Sequence, residues 1–116
     1  MNPKVKAKWL KALRSGEYDQ TRGKLLRRTS SGDRFCCLGV LCNLYAQEHP
    51  GTGFRKENLS FFGRTYDIPS EVADWAMLTD VPKSYTYLPA ELHLSYMNDD
   101  EEKNFNQIAD WIKENL

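Results

Sequence analysis

The run Phe35-Cys36-Cys37-Leu38-Gly39-Val40-Leu41-Cys42 holds all three cysteines of this 116-residue chain within seven residues. So apolar a stretch has to be buried, and the rest of the chain has to fold around it. A cysteine cluster of this kind can be a metal site, a reactive thiol or part of a core. Three is an odd number, so no complete disulfide framework can form within one chain. Adjacent Cys36 and Cys37 would strain the peptide between them if bonded. Zinc requires about four ligands, usually from paired C-x2-4-C motifs. Here no second pair exists, and His49 and His93 are far from the H-x3-5-H spacing. A nucleophilic cysteine needs a base and a lowered pKa, and nothing in the sequence brings His93 to the cluster. Free cysteine otherwise behaves as a small hydrophobe. We therefore expect buried, reduced core cysteines, with no catalytic residue, no metal and no cofactor. Reduced thiols suit a cytoplasmic protein.

Phe35, Leu38, Leu41, Cys42 and Tyr45 recur at helical spacing, which predicts a helix from Phe35 through Gln47 with Asp33 capping its start. Gly39 in its middle costs about 1 kcal/mol against alanine. Close approach of another backbone would explain it. An amphipathic helix is predicted over Lys4–Arg14, with Pro3 at its first turn and Gly16 ending it. A polar loop, Glu17–Gly23, leads to a short strand at Lys24–Arg28 and a turn at Ser30–Asp33. Leu59–Phe62 and Ser84–Tyr87 read as further strands. A short helix is expected to run to Leu78 with Ser70 as its cap, and a helical stretch from Leu88 to Met97. The last helix is marked by Phe105, Ile108, Ala109, Ile112 and Leu116. The acidic run Asn98–Glu102 suits its positive end as a cap, or else a ligand. It lacks the spacing and the glycine of an EF-hand. These elements predict an α+β fold: one small domain over residues 1–116, with three to four helices packed on a short antiparallel sheet.

Formal net charge is zero, but residues 1–34 hold ten Lys/Arg against three Asp/Glu, whereas residues 66–116 hold three against eleven. Two halves of opposite sign can attract one another within the fold, or the basic third can bind an anion. Zero net charge argues against long nucleic acid as a partner. No apolar run approaches the roughly 20 residues of a membrane span, and the basic N-terminus is followed by no apolar h-region, so no signal peptide is expected. Gly51-Thr52-Gly53 lacks the remainder of a phosphate-loop pattern.

Three blocks carry a resemblance. Trp9–Gln20 reads W-x2-A-L-R-S-G-x-Y-x-Q, Phe35–Cys42 reads F-C-C-L-G-V-L-C, and Asn98-Asp99 precedes an F-x2-I-A-x2-I run from Phe105. Together they resemble a family of small bacteriophage accessory proteins. The resemblance covers both ends of the chain, whereas residues 50–85 are less typical. It implies expression in the cytoplasm of an infected bacterium and a role against host defence. Within that context the expected function is non-catalytic capture of a small, anionic, nucleotide-like defence signal. Such a ligand calls for cations, aromatic faces and amide or carboxylate edges. Tyr18, Gln20, Arg22, Lys24 and Arg34, with Asn98 and Asp99, supply them as candidate ligand-binding residues. A sponge of this kind is also expected to form a homo-oligomer. Two alternatives stand beside it. One is a protein-binding inhibitor using an exposed patch around Phe61-Phe62. The other is a small cysteine-dependent hydrolase.

Overall fold

The cysteine-rich run forms most of helix α2, Cys37–Glu48, and every residue from Cys37 to Cys42 in it is buried. The computed structural model describes residues 1–78 and 89–116. Helix α1, Pro3–Arg14, is capped by Asn2, whose side chain accepts from the Lys4 and Val5 amides, and it buries Val5, Trp9 and Leu13. The buried Trp9 indole donates to the Cys37 carbonyl at 3.0 Å, tying α1 to the first turn of α2. Helices α3, Ser70–Ala76, and α4, Ala90–Asp99, also pack on α2, and α5, Phe105–Asn115, packs on α1 and α4. Five helices among the described residues therefore surround or include the apolar run, against the three to four expected. No helix among the described residues is long and apolar enough to cross a membrane.

Among the described residues three short strands lie beside this helical core: β1, Asp19–Gln20, β2, Leu26–Thr29, and β3, Gly32–Phe35, in the order β1-β3-β2. β2 and β3 form an antiparallel hairpin that pairs Leu26 with Phe35, Arg27 with Arg34, Arg28 with Asp33 and Thr29 with Gly32. β1 docks on the free edge of β3 in parallel, with Asp19 opposite Arg34 and Gln20 opposite Phe35. The Thr21 amide extends that pairing by donating to the Phe35 carbonyl at 2.8 Å. The sheet is thus mixed rather than antiparallel, because the chain leaving α1 reaches β3 before the hairpin and runs in the same direction as it.

Gly39 is the point where sheet and helix meet. A Cβ built on it would lie 1.8 Å from the Leu25 carbonyl oxygen and 2.7 Å from its carbon. Only a bare backbone leaves room for this approach. The same Leu25 carbonyl accepts the Cys36 amide at 3.3 Å, and the Leu25 amide donates to the Thr65 carbonyl at 2.8 Å.

Several boundaries differ from the sequence expectation, each for a local reason. α2 begins at Cys37 rather than Phe35, because Phe35 is held in the sheet. Its cap is Cys36, whose sulfur accepts from the Gly39 amide at 3.3 Å. Asp33 instead pairs with Arg28 across the hairpin, at 2.9 Å. Leu59–Phe62 is not a strand: Leu59 and Phe62 have φ of 58° and 49°, and only an isolated bridge joins Phe61 to Arg64. Pro69 occupies the cap position of α3, and the Ser70 hydroxyl donates to Glu71. The acidic run does not cap α5. Asn98 and Asp99 end α4, and a reciprocal capping box between Asn104 and Gln107 starts α5. The strand expected over Ser84–Tyr87 lies outside the described residues.

Replacing Gly39 with alanine must push the Leu25 backbone away, so Gly39→Ala is expected to destabilise the fold by about 3 kcal/mol or more. The exposed Gly53 provides the control, since a Cβ added there would meet nothing within 4 Å. Urea denaturation of both variants checks this: Gly53→Ala should stay within about 0.5 kcal/mol of the parent.

Candidate functional site

Four of the seven residues singled out in the sequence converge where the two ends of the chain meet. Asn98, at the end of α4, is fully buried. Its amide oxygen accepts from Gln20 Nε2 at 2.8 Å and from the Cys37 backbone amide at 3.2 Å. Its amide nitrogen donates to the Thr21 carbonyl at 2.9 Å and to Asp99 Oδ1 at 2.8 Å. A carboxamide has two acceptor sites and two donor hydrogens, so all of Asn98's capacity is spent inside the protein. Gln20 also donates to the Lys103 carbonyl at 2.9 Å, and Asp99 Oδ1 accepts the Gly23 amide at 2.9 Å. Gly23 has φ of 80°, which lets the loop turn its amide into that contact. Arg22 reaches the Glu102 carbonyl at 3.4 Å. Asn98 is thus a buried tie between α4, β1 and the first turn of α2.

The remaining three residues lie elsewhere. Tyr18 is half-buried, edge-on to Phe35 with ring centroids 5.2 Å apart, and its hydroxyl accepts from Asn43 Nδ2 at 2.7 Å. Arg34 is exposed on β3, opposite Arg27, and Lys24 is exposed beside the Leu25 contact. Tyr18 also borders a cleft of about 280 Å³ between α1 and α2, lined by Lys8, Lys11, Ala12, Leu44 and Gln47 among others. Lys8 pairs with Glu48 at the rim, and that contact holds the Glu48 carboxyl below its usual range. A second cleft, of about 330 Å³, lies on the other side of Tyr18, toward Asp19, Gln20, Asn104 and Asn106.

The cysteines lie in the core. Burial pushes the Cys36 thiol up to about 12 and raises Cys37 and Cys42 well above the ordinary thiol range. This opposes thiolate formation, the step on which a cysteine hydrolase depends. No group of three or more His, Cys, Asp or Glu that could hold a metal occurs among the described residues. Around Phe61 the expected exposed patch is reduced, because Phe61 is fully buried and Phe62 is 43% exposed. Phe61 packs instead among Phe54, Tyr45 and Phe62.

The chain belongs to the family described as a domain of unknown function, DUF8296. Its family model matches residues 1–116. No curated protein and no solved structure matches the chain.

Three contributors are not legible in the sequence. Lys11 and Gln47 line the cleft beside Tyr18, and Arg27 faces Arg34. Helical spacing puts Lys11 on the solvent face of α1, and only the packing of α1 on α2 turns that face into a wall.

Removing the Asn98 amide strands the Cys37 amide and the Thr21 carbonyl and takes one of two bonds from Gln20, so Asn98→Ala is expected to cost about 3 kcal/mol. Gln20→Ala alone should cost about 1 kcal/mol, and the double variant less than the sum, measurable by chemical denaturation. The thiols add a pH signature. The folded chain keeps the Cys36 proton up to about 12 and holds those of Cys37 and Cys42 well above the ordinary thiol range, whereas unfolded thiols lose them from about 9, so stability falls as pH rises above that value. The fall should be shallower in Cys42→Ala than in the parent when unfolding is followed from pH 8 to pH 10.5, roughly the span over which free thiols ionise.

Proposed function

We propose that the protein captures a small, anionic, nucleotide-like ligand without transforming it, in the cleft between α1 and α2. The observation that carries this reading is the set of groups around that cleft: the Lys8 and Lys11 ammoniums, the Tyr18 ring and the Gln47 amide, about a space of about 280 Å³. Ligand pockets start at roughly 300 Å³, so the space suits one base or a mononucleotide-sized part of a ligand. Lys8 is engaged by Glu48, which leaves Lys11 as the cation for a phosphate. The Tyr18 ring offers an aromatic face to a base. Gln47, Glu17 and Glu48 offer donors and acceptors for its edge.

The resemblance to bacteriophage accessory proteins supplies the biological setting: sequestration of a nucleotide defence signal in the cytoplasm of an infected cell. A second copy of the chain closing over the cleft would complete the site, as expected of a homo-oligomeric sponge. The candidate residues Gln20, Asn98 and Asp99 then act indirectly, by fixing the loop that follows Tyr18.

The test is to incubate the protein with a panel of cyclic and dinucleotide signals, heat-denature it and assay the supernatant. Depletion of one nucleotide from solution followed by its intact release is the expected result. Chemically altered nucleotide would identify an enzyme instead, and no depletion of any member would sink the capture reading. Tyr18→Ala and Lys11→Ala should each weaken binding about tenfold, the loss of roughly 1.4 kcal/mol.

A further inference from the structure

We propose that Arg27 and Arg34 form a separate oxyanion site on the exposed sheet face, one that takes a soluble diphosphate group. The two residues are direct partners across the β2–β3 hairpin. Their side chains therefore leave the same face, with Cβ atoms about 5 Å apart. Like charges in that position repel. One step along the hairpin the same problem is solved internally, because Arg28 and Asp33 pair at 2.9 Å. Among the described residues the Arg27–Arg34 rung has no such solution. Its third member, Asp19 on β1, makes no ion pair with Arg34, and Arg34 has no side-chain hydrogen bond among the described residues.

Arg27 is oriented without being neutralised. Its Nε donates to Thr21 Oγ1 at 3.2 Å and one Nη to the Arg22 carbonyl at 3.4 Å, both uncharged acceptors. Thr21 is itself buried, and its amide is fixed on the Phe35 carbonyl at 2.8 Å. One guanidinium is thus held in place with donors to spare, and a second stands beside it. Lys24 and Arg22 add exposed positive charge on the connecting loop. Two planar forks side by side match an acceptor that has several oxygens and more than one negative charge. A single carboxylate would satisfy one fork, whereas a diphosphate presents oxygens to both. This site does not rest on the cleft reading, since it shares no residue with that cleft.

Thermal unfolding in inorganic pyrophosphate, against sodium chloride at matched ionic strength, tests the proposal. The parent should gain about 4 °C or more in pyrophosphate over chloride. Arg27→Gln and Arg34→Gln should bind at least tenfold more weakly and lose most of that gain. In chloride Arg34→Gln should unfold at the same temperature as the parent or higher, since repulsion is relieved, and Arg27→Gln, which also loses its bonds to Thr21 and Arg22, should keep a single cooperative transition, which confirms that both fold. Arg28→Gln should keep the response. An equal gain in all variants, or the same gain in chloride, overturns the site. Co-sedimentation with vesicles of phosphatidylcholine and phosphatidylserine without any response to pyrophosphate overturns it too, in favour of a lipid surface.

Discussion

The approach of the Leu25 backbone to Gly39 determines where everything else can go. The first turns of α2, Cys37–Cys42, are apolar and buried all round, so they need partners on every side. Three sides are filled by helices. The fourth is filled by main chain, which can come that near only because residue 39 has no side chain. Leu25 then serves two neighbours at once, accepting from Cys36 and donating to Thr65. The hairpin begins one residue later, at Leu26, so its register and its basic face follow from this contact.

The charge asymmetry of the chain does not explain how its halves are joined. Among the described side-chain ion pairs, Arg14–Asp110 is the one that links the basic first third to the acidic last part, and both partners are substantially exposed. Pairs of that kind contribute about 0–1 kcal/mol. Lys8 pairs with Glu48 and Arg28 with Asp33, inside the first half of the chain. The stronger link is neutral: a buried carboxamide, Asn98, that satisfies backbone groups on two other elements. Among the described residues, Lys8, Arg14 and Arg28 are the members of the basic third that form ion pairs, and the others stand without one.

Much of this is legible in the sequence. Periodicity locates α1 and α5 because each has one clean apolar stripe, and the role of Gly39 follows from its cost in a helix. The sheet is less legible, since a two-residue strand such as β1 has no period to read. The start of α2 is hidden because Phe35 fits the helical spacing but is claimed by cross-strand pairing, and cysteine is not a common cap. The Asn104–Gln107 capping box is visible as a motif, but the acidic run just before it offers a competing signal. For the site, the sequence marks Gln20, Asn98 and Asp99 as a polar group joining the chain ends, and the hydrogen bonds among them do so. That Asn98 faces inward cannot be read, because three of its four partners lie 61 to 78 residues away.

Alternation along the strands separates the two tasks of the sheet. On β3, Phe35 turns inward to meet Tyr18 and Phe54, whereas its neighbour Arg34 is exposed. On β2, Leu26 is buried and Arg27 is exposed. Successive residues on a strand point to opposite faces, so one hairpin anchors the core with one set of side chains and presents charge with the other. Substitutions at Arg27 and Arg34 therefore change the electrostatic surface while leaving the packing of Leu26 and Phe35 in place. Substitutions at Gln20 or Asn98 act through the fold, since these amides have no exposed face to offer beyond the half-buried edge of Gln20. Loss of binding in a Gln20 or Asn98 variant would therefore report a shifted loop, and loss in an Arg27 or Arg34 variant a lost contact.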